Sequence, residues 1–386
     1  MTDARRPLRV AQVIEATTGG AGKHVRELLA AMPRPEFAPT LIYSLGRDPT
    51  FADDVARLQA AGVEAHPVAM RRGVSPMSDQ RAMRRIEHLL HKGEFDIVHA
   101  HSSKAGMLAR VAARRAGVPV VMYTPHAFPF LMKTGPLAHR LYITLERWAA
   151  RRTDLIIAVS PSERQAALDA GICPPERIVT IENGVNPDRA LPDRQALRCS
   201  LGIDSADLVV GTVGRASAQK GWDTLLAAAP AVVARLPQAR FVLAGGGELL
   251  PRFAREVARR GLADHVLLLG PRADGADLVA AFDVFALPSL WEGCPYALLE
   301  AMAAECPVVA SSCVGSRDLV VSEATGLLVP PEDPRALTAA LVRLLRDAPL
   351  RRRMGEAGRE RVRRQYQLSE KIALLLDTYR RFARLT

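Results

Sequence analysis

The chain predicts a parallel α/β fold divided into two domains, and three observations carry that expectation. Strand-like apolar runs alternate with helical stretches along all 386 residues, the pattern of parallel strands joined by crossover helices. The runs fall into two series separated by 183–205, a segment rich in Pro, Asp and Arg with little apolar periodicity, which reads as an interdomain linker. With 48% hydrophobic residues over this length, the chain can bury two ordinary cores.

The first series of strands is expected at 8–14, 40–44, 97–101, 118–123, 155–160 and 177–181, and the second at 208–213, 240–244, 266–269, 284–287 and 308–311. The first strand runs into Glu15-Ala16-Thr17-Thr18-Gly19-Gly20-Ala21-Gly22-Lys23-His24. This turn is not a P-loop, because Thr17 stands where that loop needs its first glycine and His24 where it needs Ser or Thr. The dinucleotide fingerprint GxGxxG is missing here and from Ala244-Gly245-Gly246-Gly247-Glu248, which argues against an NAD-dependent oxidoreductase. What remains is a Gly-rich turn before a helix at 25–31, where backbone can approach a ligand closely or simply turn.

The third strand ends in His99-Ala100-His101-Ser102-Ser103-Lys104-Ala105-Gly106, and His126 follows the next in Tyr123-Thr124-Pro125-His126-Ala127-Phe128. These phrases place imidazoles, hydroxyls and a cation at a strand's carboxyl end, where they serve a ligand or bond the strand end itself. Period-2 alternation sends His99 and His101 to one face, but no third ligand is evident, so a zinc reading is poor. Beyond them a helix at 138–152 carries Arg140, Arg147, Arg151 and Arg152 among Leu, Ile and Trp148, and Arg71, Arg72, Arg81, Arg84 and Arg85 form a second basic cluster. Such stretches read equally as an anionic-membrane surface or as ordinary helices with a solvated face. In Ile181-Glu182-Asn183-Gly184-Val185-Asn186, the Asn-Gly pair fits a turn of positive φ with a structural role.

In the second series, Val209-Val210-Gly211-Thr212-Val213-Gly214-Arg215-Ala216-Ser217-Ala218-Gln219-Lys220-Gly221 ends a strand in a turn that delivers Arg215 and Lys220 just before a helix. Cations there suit a departing phosphate, although solvated surface cations are common in a chain with 52 Lys and Arg. Further on, Glu292-Gly293-Cys294-Pro295-Tyr296-Ala297-Leu298-Leu299-Glu300 sets two carboxylates eight positions apart across a loop running into a helix at 296–304. Eight residues of helix would rise about 12 Å, enough to reach two ends of an extended ligand. The backbone N–H groups of 293–296 lie at a positive helix end suited to a diphosphate. By spacing alone, an acidic residue opening a helix and a second on its solvated face is as good a reading.

Strand-Gly-Arg-x4-Lys-Gly followed by Glu-Gly-x-Pro-x4-Glu-Ala-Met-Ala resembles the donor half of glycosyltransferase family 4, retaining enzymes of GT-B fold. The His101 and His126 phrases are similar to members that extend bacterial surface polysaccharides on polyprenyl-diphosphate carriers. The resemblance spans nearly the whole chain and is densest in 209–329. It implies two Rossmann-like parallel-sheet domains facing a central cleft: 1–190 for the acceptor, joined by a C-terminal helix crossing back (366–386, its helical run at 370–385), and 205–365 for the nucleotide sugar. It implies Arg215 and Lys220 on the diphosphate, helped by backbone near Gly293, Cys294, Pro295 and Tyr296, with Glu300 on the ribose and Glu292 on sugar hydroxyls. The family places a His matching His126 beside the transferred sugar and the turn matching Gly19 and Gly20 toward the donor diphosphate and acceptor, and the resemblance makes His101, Ser102 and Lys104 acceptor-side candidates. No Asp-x-Asp metal motif sits in a suitable turn, so no metal or other cofactor is expected and fixed cations take that role. Attack from the leaving group's own face is implied, with no base identifiable.

Two glutamates on one loop-helix unit do not flank a sugar as a retaining hydrolase requires. The alternatives are a sugar-nucleotide epimerase of the same fold and a noncatalytic sugar-nucleotide or polysaccharide-binding protein. The net charge is +11, and residues 1–190 hold 26 basic and 19 acidic groups, 26 − 19 = +7, which favours an anionic partner. With aromatics at 5% and no zinc-finger, RNA-binding or helix-turn-helix signature, a membrane or phospholipid is preferred to nucleic acid. Five cysteines without ligand spacing, a polar N-terminus at 1–9 and no spanning apolar run point to a cytoplasmic, at most peripheral, protein.

Overall fold

The structure, a computed structural model, describes residues 6–384. Residues 1–5 of the polar N-terminus and Leu385, expected to end the last helix, lie outside the described residues. The chain divides into two compact units, Met1–Glu182 with Lys371–Thr386, and Asn183–Glu370.

In the first unit, β1 (Leu8–Ile14), β2 (Phe37–Tyr43), β3 (Glu64–Pro67), β4 (Ile97–His101), β5 (Val120–Thr124), β6 (Leu155–Ala158) and β7 (Ile178–Thr180) form one sheet ordered β3-β2-β1-β4-β5-β6-β7, every pair parallel. In the second, β8 (Leu208–Val213), β9 (Ala239–Ala244), β10 (Val266–Gly270), β11 (Val284–Leu287), β12 (Val308–Ser311) and β13 (Gly326–Val329) are ordered β10-β9-β8-β11-β12-β13, again parallel. Both are Rossmann-like. Central strands such as Leu-Ile-Ile-Ala in β6 and Val-Phe-Ala-Leu in β11 are buried throughout, as parallel strands covered on both faces must be. Strand order reverses between β1 and β4 and between β8 and β11, and at such switch points the carboxyl ends of the strands leave room for a ligand.

Two strands escaped the sequence reading. The edge strand β3 is Glu-Ala-His-Pro and nowhere fully buried, so it carries no apolar signal. The edge strand β13 is four residues, Gly-Leu-Leu-Val. The expected linker is also corrected. Residues 183–205 belong to the second unit, where the helix Arg194–Ser200 is pinned by Arg198, whose guanidinium donates to Asp283 Oδ2 at 2.6 Å and to the carbonyl of Ala281 at 2.9 Å. Charged anchors rather than apolar periodicity hold it, which is why its sequence looks like a linker. Gly184 is not among the residues of positive φ. A Cβ there would meet the Leu368 Cα at 2.7 Å, so glycine serves the close approach beside the Val185–Gln367 bridge.

The last helix, Leu368–Ala383, returns to the first unit, where Leu375, Leu376 and Tyr379 are buried with Val10, Ile14 and Phe37. Burial of each leucine contributes about 1.5–3 kcal/mol. In register, Gln12 pairs with His99, and His101 with Thr124. The two-residue period then places Gln12, His99, His101 and Thr124 on the sheet face that Tyr379 covers.

Candidate active site

In the second unit, two loops leave the switch-point strands β8 and β11 and are locked backbone to backbone. Gly221 has φ +63°, and a Cβ on it would lie 1.9 Å from the carbonyl oxygen of Pro288. Only glycine lets the loops meet. The amide of Leu290 then donates to the carbonyl of Gln219 at 2.8 Å, and the Lys220 Nζ donates to Glu292 Oε1 at 2.6 Å. That oxygen also accepts from Ser289 Oγ at 2.7 Å, and Gln219 Nε2 donates to the Trp291 carbonyl at 3.0 Å. The loop after β12 closes on the same place, with Gly315 at φ +82° and its absent Cβ 2.2 Å from the Gly293 carbonyl oxygen. Behind it the Cys313 thiol is pushed up to about 11, by burial first and then by the Glu292 carboxylate.

Arg215 follows β8 after Gly214 and is half-buried, as is Glu300 on the helix Tyr296–Ala303. Glu292 does not sit at the mouth of that helix. It lies 5% exposed in the preceding loop, with Pro295 as the helix cap, so half of the eight-residue spacing is loop and the helical 12 Å rise does not apply. Cys294, Pro295 and Tyr296 are buried there, and the Cys294 carbonyl accepts from Asn183 Nδ2 at 2.7 Å. The structure therefore brings together Lys220 and Glu292, 72 positions apart in sequence.

In the first unit the side chains at the strand ends are bonded through neutral groups. His101 bonds through Nε2 to Gln12 Oε1 at 2.7 Å and through Nδ1 to His126 Nε2 at 3.1 Å. Gln12 Nε2 donates to the Tyr379 hydroxyl at 3.0 Å. That hydroxyl lies 2.6 Å from His99 Nδ1, and His99 Nε2 lies 2.8 Å from Thr124 Oγ1. His126 and Ala127 have φ of 54° and 90°, a left-handed stretch costly for side-chain-bearing residues. It is held by buried Glu163, which accepts from the amides of Ala127 at 2.8 Å and Val159 at 2.7 Å. Burial, and then neighbouring imidazoles, hold His99, His101 and His126 well below the ordinary 6.5, so all three are neutral at pH 7.

Of the other expected residues, Lys104 is committed to Asp79 Oδ2 at 2.6 Å. Ser102 has φ 64° and a buried hydroxyl with no protein partner. Gly19, at φ +67°, and Gly20 are exposed at the start of the helix Gly19–Ala31. That helix begins six residues before the expected 25–31, and the close approach belongs to Gly22, whose Cβ would lie 1.9 Å from the Thr17 carbonyl oxygen.

His24 supplies the third imidazole that sequence spacing lacked, but beside His101 and His126 rather than His99: the three offer nitrogens within 4.8 Å of one another. A shared metal needs lone pairs converging on one point about 2.0–2.1 Å from each nitrogen. The His101 and His126 rings instead lie with centroids 5.4 Å apart and nitrogens at 3.1 Å, pointed head-on at each other. That is the geometry of a hydrogen bond between imidazoles, not of a ligand pair.

Comparison with known proteins fits this arrangement of two nucleotide-type sheets with basic and imidazole-bearing strand ends. A model described as "Glycosyltransferase Family 4" matches residues 18–189 and one described as "Glycosyl transferases group 1" matches 207–347. The UDP-Gal:alpha-D-GlcNAc-diphosphoundecaprenol alpha-1,3-galactosyltransferase of Escherichia coli is 33% identical over 314 residues, covering 80% of this chain and 81% of that protein. The chain belongs to glycosyltransferase family 4. Sucrose-phosphate synthase from Thermosynechococcus elongatus superposes with TM-score 0.84 at 22% identity over 98% of this chain and 100% of that one. Anabaena HepE in complex with UDP and glucose superposes with TM-score 0.81 at 22% identity over 96% and 99%. These likenesses identify the fold as GT-B, and the family is a retaining one.

Sequence reading missed four residues of this candidate site: Gln12, His24, Glu163 and Tyr379. Ser160-Pro161-Ser162-Glu163 carries the spacing of a capping box, a signal that was there to be read. Gln12 inside an apolar strand and Tyr379 in the last helix carry none, since only the fold makes them neighbours.

Proposed function

We propose that this glycosyltransferase moves a sugar from a UDP-sugar to a polyprenyl-diphosphate-linked glycan at the cytoplasmic face of a membrane, forming an α-glycosidic bond. The observation that carries the reading is the Lys220–Glu292 pair at the β8/β11 switch point with Arg215 beside it in sequence. Three donors on a Lys ammonium can serve a carboxylate and a phosphate together. Arg215 and Lys220 bind the diphosphate as its charge grows, and Glu292 binds sugar hydroxyls while orienting Lys220. Glu300 takes the ribose, and backbone at Gly293, Cys294, Pro295 and Tyr296, with Gly19 and Gly20, lines the donor. His126 accepts from or donates to a sugar hydroxyl. The acceptor hydroxyl attacks the anomeric carbon from the face the diphosphate leaves, and its proton passes to the departing phosphate oxygen. His101, Ser102 and Lys104 lie on the acceptor side, although the bonds of His101 and Lys104 give them positioning roles. The lipid-linked acceptor is supported by similarity to the undecaprenol-linked galactosyltransferase.

A surface feature favours membrane association. On the helix Pro136–Ala150, Leu137, Leu141, Leu145 and Trp148 form one stripe, 83%, 55%, 40% and 40% exposed. Exposed Arg140, Arg147 and Arg151 lie along it, and Arg152 stacks at 3.8 Å on Trp148. Apolar side chains with basic flanks suit an anionic leaflet, and no helix of the described residues is long and apolar enough to cross a membrane. Sedimentation with anionic but not neutral vesicles at low salt is expected, and equal behaviour with both overturns it.

The transferase reading is tested by thermal stabilisation with UDP, GDP, ADP, dTDP and NAD in metal-free buffer, followed by turnover of UDP-galactose and UDP-glucose with a polyprenyl-diphosphate acceptor. Stabilisation by UDP and an α-linked product are expected. Stabilisation by NAD alone refutes the reading, and a donor altered without acceptor identifies the epimerase alternative.

A further inference from the structure

The hydrogen bonds around His126 run in one direction, and that direction has a chemical consequence. An amide donates only through its nitrogen. Gln12 Nε2 faces the Tyr379 hydroxyl at 3.0 Å, so its Oε1 faces His101 Nε2 at 2.7 Å and must be given a proton there. His101 is neutral, so its single proton is on Nε2 and Nδ1 is a lone pair. His126 Nε2, 3.1 Å away, must supply the proton of that contact, which leaves His126 Nδ1 unprotonated. At the other end, the Tyr379 hydroxyl accepts from Gln12 and gives its own proton to His99 Nδ1, while His99 Nε2–H donates to Thr124 Oγ1. Gln12, His99, His101, Thr124 and Tyr379 are each no more than 1% exposed, so bulk solvent does not reach these links. Turning the Gln12 amide over would reverse every bond and place the proton of His126 on Nδ1.

We propose that Gln12, His101 and Tyr379 are positioning residues that hold His126 in the Nε2–H tautomer, presenting Nδ1 as a hydrogen-bond acceptor. Tyr379 gives the returning C-terminal helix a part in the site beyond packing. Its hydroxyl accepts from Gln12 while giving its own proton to His99 Nδ1, and that sense passes through Gln12 and His101 to His126. His24, half-buried, has its ring 5.0 Å from that of His126 at the other end of the chain. The use of the Nδ1 lone pair on a sugar hydroxyl rests on the transferase reading above; the tautomer does not.

The test is the tautomer of His126 by long-range proton–nitrogen correlation on the full chain labelled with nitrogen-15 histidine, its signals assigned with His126→Gln. Protonated Nε2 and bare Nδ1 are expected in the wild type. Tyr379→Phe, which cuts the chain between His99 and Gln12, and Gln12→Met, which keeps the side-chain length, are each expected to shift His126 toward a mixture of tautomers. A wild-type proton on Nδ1 overturns the proposal whatever the variants do, and an unchanged tautomer in both folded variants overturns it equally. The same variants, assayed for transfer, are expected to lose roughly tenfold in kcat at unchanged donor KM, the scale of one hydrogen bond. A shifted tautomer with unchanged kcat upholds the chain and removes His126 from the proposed chemistry.

Discussion

The candidate sites of the two units sit at the same place in similar sheets and are built on opposite electrical principles. In the second unit, Lys220 and Glu292 are charged, nearly buried and paired at 2.6 Å, on loops held by glycines. In the first, His99, His101 and His126 are neutral and their rings are bonded to one another and to the uncharged Gln12, Thr124 and Tyr379, with Glu163 holding only the backbone beside His126. A leaving diphosphate needs preorganised charge, whereas a sugar hydroxyl needs a directed donor or acceptor, and the contrast matches the separate roles proposed for the two sets of residues.

The contrast breaks first at Lys220. Lys220→Ala is expected to lower kcat by about 10²–10³, or about 2.7–4 kcal/mol of barrier if Lys220 acts as a preorganised donor. Unchanged turnover in a steady-state assay would remove it from the chemistry. Gly221→Ala attacks the loop contact itself. A side chain at φ +63°, 1.9 Å from the Pro288 carbonyl, is expected to cost about 1–3 kcal/mol in urea unfolding and to lower activity as the Lys220–Glu292 contact opens.

The neutral site predicts a pH dependence of defined sign. His99 and His101 titrate well below 6.5 in the folded chain because burial opposes their charge. The unfolded chain takes up those protons near 6.5 and the folded chain does not, so stability is full above about pH 6.5 and falls as pH drops. The slope is about 1.4 kcal/mol per pH unit for each histidine. Urea midpoints at pH 7.5, 6.5 and 5.5 measure it, and His99→Gln should make the slope shallower. The smallest effect is expected at the surface. Arg380 makes two bonds to Glu36, at 2.6 and 2.9 Å, yet Arg380→Ala should cost only about 0.2–1 kcal/mol because solvent screens the pair. A larger loss would mean that this ion pair, rather than Leu375, Leu376 and Tyr379, holds the last helix in place.

Much of this architecture was legible in the chain. β1, β4, β8, β11 and β12 coincide with the apolar runs that announce them, because a parallel strand covered on both faces must be apolar along its length. Arg215 and Lys220 stood out because a strand end and a glycine turn lie within 13 residues, 209–221, just ahead of the helix Trp222–Val233. Segment 183–205 was misread because arginine–carboxylate anchoring leaves no periodic trace, and Glu292 was misplaced because helix geometry was extended into a loop.

By itself, then, the sequence determined what depends on near neighbours: strand and helix periods, two sheets, and the charged strand ends that mark a family 4 transferase. The tertiary structure alone decided what depends on distant partners. Gln12 and Tyr379 are 367 positions apart, and no local pattern reports a hydrogen bond whose existence requires the last helix to fold over the first strand. Local order is written in spacing, whereas the direction of a buried hydrogen-bond chain is set only when every donor has met its acceptor in the dry interior.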